Sequence, residues 1–214
     1  MTQPVVVVGA GGFGRDALDV IDAMNQAQRT PAFAVLGIVD DAPSWTALTR
    51  LAGRQVEWLG GIEEWLESEG DAQYVIGIGN PSVRRAIDRR FAAAERVAAT
   101  LMHPSATVGS MGSIGAGSVV CSGVQISTNV TLGRHVHVNP NATIGHDAVL
   151  GDYVSVNPGA IVSGDVTIEP GALIGAGAVI LQGLTVGGLS TVGASACVVR
   201  NVAAEVTVRG VPAR

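Results

Sequence analysis

This sequence predicts a two-part fold, α/β and then all-β: a small parallel α/β domain over residues 1–100 and a solenoid of short parallel strands over residues 101–214. Three observations predict it. In the first part, apolar strand-like runs alternate with amphipathic stretches, as in a parallel sheet with helices packed on it. From Met102 the spacing changes, and an apolar residue falls at every sixth position through Val198, seventeen hexads without an insertion or deletion. Three positions after each apolar residue, the chain repeatedly places Gly, Asn or Asp, the types that tolerate positive φ.

The elements follow in order. VVVV (5–8) is a buried-strand run, leading into GAGGFG (9–14) and a helical pattern from Asp16 to about Ala27. FAVLGIVDD (33–41) is a second strand and QYVIGIGN (73–80) a third; PSVRRAIDRRFAAAE (81–95) is an amphipathic helix opened by Pro-Ser. Each hexad of the second part is a short strand plus a corner. Its corner slot holds Gly117, Gly123, Asn129, Asn141, Asp147, Gly159, Asp165, Gly171, Gly177, Gly183 and Asn201, with Pro104, Pro140, Pro158 and Pro170 one position earlier. Three hexads make one triangular coil, so residues 18 apart stack in columns roughly 4.8 Å apart. Small residues such as Ala142, Ala148, Ala160 and Ala172 fit the corners.

Composition narrows the function classes. A net charge of -5 without a basic patch argues against nucleic acid. All 13 cations are Arg, which excludes a catalytic lysine. Cys121 and Cys197 have neither metal-site nor disulfide spacing, and no stretch approaches a membrane span, so a soluble cytoplasmic protein is expected.

His146 stands out among residues chosen for packing. It occupies the second turn position of its hexad, so its side chain points outward, and Gly164, one coil higher, leaves space over the ring. Two readings are open: a solvated corner histidine, or a general base titrating near neutrality. Asp147 lies in the positive-φ slot, as Asp165 does one coil above. It is either an ordinary corner residue or the partner that fixes the imidazole tautomer. His135 and His137 do not stack with His146 at 18-residue spacing; they read as exposed or inter-subunit residues, and no metal is expected. In the first part, G-x-G-x-x-G after a strand and before a helix puts backbone N–H groups where a phosphate sits. Asp40 lies 26 residues past Gly14 rather than about 20, which speaks against NAD.

Uninterrupted [LIV]-G-x-x-[AV]-x hexads resemble those of the hexapeptide-repeat acyltransferases. Joined to VVVVGAGGFG, FAVLGIVDD, GIGN, HPSA, IGHDAVLGDY and GVPAR, they make the chain similar to nucleotide-sugar acetyltransferases of the bacillosamine, sialic-acid and perosamine type. The resemblance implies a Rossmann-like domain followed by a left-handed parallel β-helix. It implies an N-acetyltransferase that uses acetyl-CoA as co-substrate and acts on a nucleotide-linked amino sugar, a 4-amino-4,6-dideoxyhexose, working as a homotrimer with active sites between subunits. It assigns catalysis to His146 and Asp147. Acetyl-CoA contacts fall on Asn139, Ser155, Gly164, Gly175, Ala176, Arg209 and Arg214, the first five through backbone groups. Nucleotide-sugar contacts fall on Gly9, Gly11, Gly12, Phe13, Gly14, Asp40, Asp41, Gly79 and Asn80. Phe13 departs from the family, where many members have His. The alternatives are sugar O-acetylation, a non-catalytic trimeric nucleotide-binding scaffold, and a metal-dependent hydratase.

Overall fold

The computed structural model describes residues 2–68 and 70–214. Its contacts divide into two compact units, residues 1–79 with 83–104 and residues 80–82 with 105–214. Among the described residues no helix is long and apolar enough to cross a membrane.

In the first unit, strands β1 (Gln3–Val8), β2 (Phe33–Val39) and β3 (Gln73–Ile76) form a parallel sheet in the order β2-β1-β3. Val5 to Val8 are fully buried, which is why the central strand reads as an unbroken apolar run. Helices α1 (Gly12–Gln26) and α4 (Pro81–Ala93) fall where the sequence predicts them. Two short helices, α2 (Trp45–Ala52) and α3 (Ile62–Leu66), were not expected from the sequence. At eight and five residues they are too short for helical periodicity to register. Ser44 Oγ accepts the Ala47 N–H at 3.2 Å and caps α2. Trp65, Tyr74 and Phe91 pack ring against ring beside the sheet, with centroids 5.5 and 4.3 Å apart.

The second unit is a three-sided parallel solenoid. One face carries Val119–Val120, His137–Val138, Ser155–Val156, Leu173–Ile174 and Thr191–Val192; the next carries Gln125–Ile126, Thr143–Ile144, Ile161–Val162 and Val179–Ile180; the third carries Thr131–Leu132, Val149–Leu150 and Thr167–Ile168. Pairing joins residues 18 apart, as in His137 with Ser155 and Thr143 with Ile161. Ile144, Leu150, Val156, Val162, Ile168 and Ile174 point inward with at most 1% exposure. Each contributes about 1.5–3 kcal/mol by leaving water. Ala142, Ala148, Ala160 and Ala172 are fully buried at the corners, in columns that hold the buried valines Val124, Val166 and Val154 in neighbouring coils.

The corner slots have positive φ as expected from Gly117 to Gly183, and also at Met111, His135, Tyr153, Leu189 and Ser195. Each of these non-glycine residues costs on the order of 1 kcal/mol. The hexad register therefore dictates the backbone even where the residue type resists it. Asn201 is a correction, since the left-handed slot falls instead on Glu205. The last coil is shortened: Val186 bridges Val202 and Thr191 pairs with Thr207, so the 18-residue spacing is lost there. Asn201 Oδ1 accepts the Thr185 N–H at 2.9 Å across the break.

Candidate functional site

His146 sits at the corner after Thr143–Ile144, with 58% of its side chain exposed. Its Nδ1 lies 2.7 Å from Asp147 Oδ2. An ionised carboxylate only accepts, so the neutral ring carries its proton on Nδ1 and its lone pair on Nε2. Asp147 Oδ1 accepts from Asn129 Nδ2 at 2.6 Å, one coil below. The Asn129 amide, followed by the His146 ring, holds the Asp147 carboxyl below the usual carboxylate range. Nε2 faces the coil above, where a Cβ at Gly164 would lie 2.5 Å from it. A glycine there is a steric requirement of this ring position.

The ligating atoms of His146, Asp147 and Asp165 also lie within 4.8 Å of one another, all exposed. Nδ1 of His146 and both Asp147 oxygens already hydrogen-bond within the His146, Asp147 and Asn129 set. The three residues belong to two adjoining columns of one corner.

His135 and His137 require correction, because both are fully buried rather than exposed. His135 stacks on Tyr153 one coil higher, ring centroids 5.7 Å apart and nearly coplanar in orientation. Gly117 below leaves room for its ring.

The five residues expected to offer backbone groups to acetyl-CoA differ in what they can offer. The N–H groups of Asn139, Ser155 and Gly175 are spent on Val156, Ala172 and Val192 carbonyls, and Ser155 is 1% exposed. The ladder that builds the coil holds these three N–H groups. Gly164 and Ala176 keep an N–H with no partner among the described residues. Asn139 instead directs its side-chain amide to Val156 O at 3.0 Å. Asn139, Gly175 and Ala176 share one edge of the prism, whereas His146 and Gly164 share another. Arg209 and Arg214 exchange two backbone hydrogen bonds, and Ala213 N–H donates to Cys197 O at 2.8 Å, so the basic tail is tied down rather than frayed.

In the first unit, a cleft of about 210 Å³ opens at the carboxyl ends of the strands, lined among others by Gly9, Asp40, Asp41, Ala42, Ile62 and Ile78. In a β2-β1-β3 sheet this is the side where the strand order reverses, the usual crevice for a ligand. Gly14 is needed for packing, since a Cβ there would lie 1.9 Å from Gly9 O. Gly11 and Gly12 are exposed with nothing within 4 Å of an added Cβ, so their openness serves no internal contact. Phe13 is half-buried in the first turn of α1. Asp40 is engaged on both oxygens, by the N–H groups of Ala10 at 2.7 Å and Ala42 at 2.9 Å. Asp41 accepts from Ile62 N–H at 2.7 Å and Arg90 at 3.0 Å, and the Ile62 bond foremost keeps its carboxyl below the usual range. Asn80 is exposed and its Oδ1 caps α4 by accepting the Ser82 N–H at 3.0 Å, with Pro81 opening the helix; Gly79 is exposed beside it.

Sequence reasoning missed Arg90, which joins Asp41 to Glu63 at 2.7 Å, and Arg84, which is fully buried and donates to the carbonyls of Ile78 and Gly79. Neither follows a spacing rule. It also took Asn129 only as a corner residue, although its place 18 residues before Asp147 puts it in the same column.

Comparison with known proteins agrees with the two-part architecture. Residues 4–91 match the PglD N-terminal domain, and residues 147–182 match the bacterial transferase hexapeptide of six repeats. A GDP-perosamine N-acetyltransferase of Escherichia coli O157:H7 is 32% identical over 144 residues, a match spanning 66% of this chain and 61% of that protein. Among solved structures, the acetyltransferase domain of PglB from Neisseria gonorrhoeae FA1090 superposes with a TM-score of 0.87 at 30% identity, covering 100% of this chain and 99% of that one. The same domain has been solved in complex with acetyl coenzyme A. PerB from Caulobacter crescentus, solved with CoA and GDP-perosamine, superposes with a TM-score of 0.86 at 27% identity, covering 100% of this chain and 97% of that one.

Proposed function

This chain belongs to the nucleotide-sugar acetyltransferases built from a PglD-type N-terminal domain and hexapeptide repeats, and from that premise we propose that it transfers the acetyl group of acetyl-CoA to the amine of a nucleotide-linked amino sugar, a 4-amino-4,6-dideoxyhexose. The observation that carries the reading is His146, bonded through Nδ1 to Asp147 at 2.7 Å, with its basic Nε2 aimed across Gly164.

His146 Nε2 takes the proton of the attacking amine as its nitrogen bonds to the thioester carbonyl carbon. Asp147 holds the tautomer and stabilises the imidazolium that forms. The Gly164 N–H, which has no partner among the described residues, is the donor for the developing oxyanion. The C–S bond then breaks, and coenzyme A leaves as thiolate. The cleft between Gly9 and Asp41 holds the nucleotide, with the open N-terminus of α1 toward its phosphates. The active unit is a homotrimer with sites between subunits. In one chain His146 and Ala176 stand on different edges of the prism, so a neighbour's edge is needed to complete the acetyl-CoA groove.

The test is release of coenzyme A thiol from acetyl-CoA with a panel of nucleotide-linked amino sugars and their hydroxy counterparts. Release with an amino sugar is expected, lowered by about 10²-fold or more in His146→Ala, whose fold is unchanged. Release with hydroxy sugars alone assigns O-acetylation instead. Unaltered turnover in His146→Ala removes the base, and a melting temperature indifferent to acetyl-CoA favours a non-catalytic scaffold.

A further inference from the structure

We infer that Asn129 is a positioning residue for the acid–base pair, holding the Asp147 carboxylate in the orientation that meets the His146 ring; this rests on the reading of His146 as the base. Its basis is a hydrogen-bond chain across two coils: Asn129 Nδ2 to Asp147 Oδ1 at 2.6 Å, and Asp147 Oδ2 to His146 Nδ1 at 2.7 Å. Each carboxylate oxygen has one dedicated donor, on opposite sides.

Asp147 needs such a hold. Its side chain is 41% exposed, and the carboxylate above it in the column, Asp165, lies within 4.8 Å. Like charges at that separation push Asp147 to turn away, and an exposed side chain has the freedom to do so. The column reads Met111, Asn129, Asp147, Asp165, Gly183, so Asn129 alone in it offers an amide donor. The left-handed corner at φ 58 explains a choice among Asn, Asp and Gly. It does not explain an amide donating upward at 2.6 Å.

Asn129→Gly keeps the left-handed corner and removes the donor. A fall in kcat of about 10-fold is expected, with KM for both substrates within about twofold of the parent. The Asp147 carboxyl, followed by carbon NMR without any substrate, should titrate at higher pH than in the parent. In an Asp147→Asn background the same substitution should have no further effect on kcat. Asn129→Asp preserves size and tolerates the corner; it should give the same loss, which covers a glycine variant that fails to fold. Parental kcat in both variants overturns the inference, as does a loss that adds in full to that of Asp147→Asn. Should His146→Ala itself be fully active, the reading of the base fails and this inference falls with it. Parental Asn129 variants beside an inactive His146→Ala reject the role of Asn129 alone.

Discussion

At Gly164 the difference between a hydrogen and a methyl group decides where the imidazole lies. A Cβ there would come within 2.5 Å of His146 Nε2 and 2.6 Å of Cε1, well inside van der Waals contact. The backbone at Gly164 has no left-handed φ, so alanine is compatible with the coil itself. Gly164→Ala should therefore leave the melting temperature nearly unchanged while swinging the ring off Asp147. Displacing a catalytic group by about 1 Å costs on the order of 10²-fold, and that is the expected loss in kcat by the thiol-release assay. His146 and Gly164 were legible in the sequence because an 18-residue offset is simple arithmetic on an unbroken repeat. The 2.7 Å bond to Asp147 was legible only as one of two readings, because the same aspartate is fully explained as a corner residue. Burial of His135 and His137 was also illegible, as the hexad says which way a side chain points and not what covers it.

Elements of the first unit are bound together at the cleft by charge. Asp41 follows β2, Glu63 lies on α3 and Arg90 on α4, and the arginine bonds both acids. Because the folded carboxyl of Asp41 titrates below its ordinary value, the unfolded chain binds more protons in the interval between the two. Its stabilising contribution is thus complete above the ordinary carboxylate pKa, near 4, and disappears as pH falls through the depressed folded value. Asp41→Asn should flatten the acid limb of a melting-temperature profile taken between about pH 5 and 2, and raise KM for the nucleotide sugar with kcat nearly unchanged. An acid limb identical to the parent's would remove Asp41 from that role. Here the sequence was half legible. Strands and long helices follow from apolar runs and periodicity. The loop network does not, because Asp41 and Arg90 are 49 residues apart and meet only when α4 packs.

For the whole molecule, the hexad register did more than local preference. It imposed left-handed corners on Tyr153 and His135, and it failed only at the last coil, where a deletion is absorbed between Val198 and Val202. Solenoid stability is carried by neighbours alone, which lets the edges specialise. One edge carries His146 and Gly164; another carries Asn139, Gly175 and the exposed Ala176, whose N–H has no partner among the described residues. Under the proposed trimeric reading, a site takes the base from one subunit and the groove from the next. This makes a strong prediction for mixed assemblies. Take His146→Ala, which lacks the base, and Ala176→Arg, which fills the groove; each is expected to form an inactive trimer. Denatured together in equal amounts and refolded, they should regain activity, since a site joining an intact His146 to an intact Ala176 edge arises at roughly a quarter of interfaces. Thiol release near a quarter of the parental rate, absent when the two are mixed without refolding, is the expected result. A refolded mixture as inactive as its components would mean that each chain builds its site alone, and the shared-edge arrangement would be wrong.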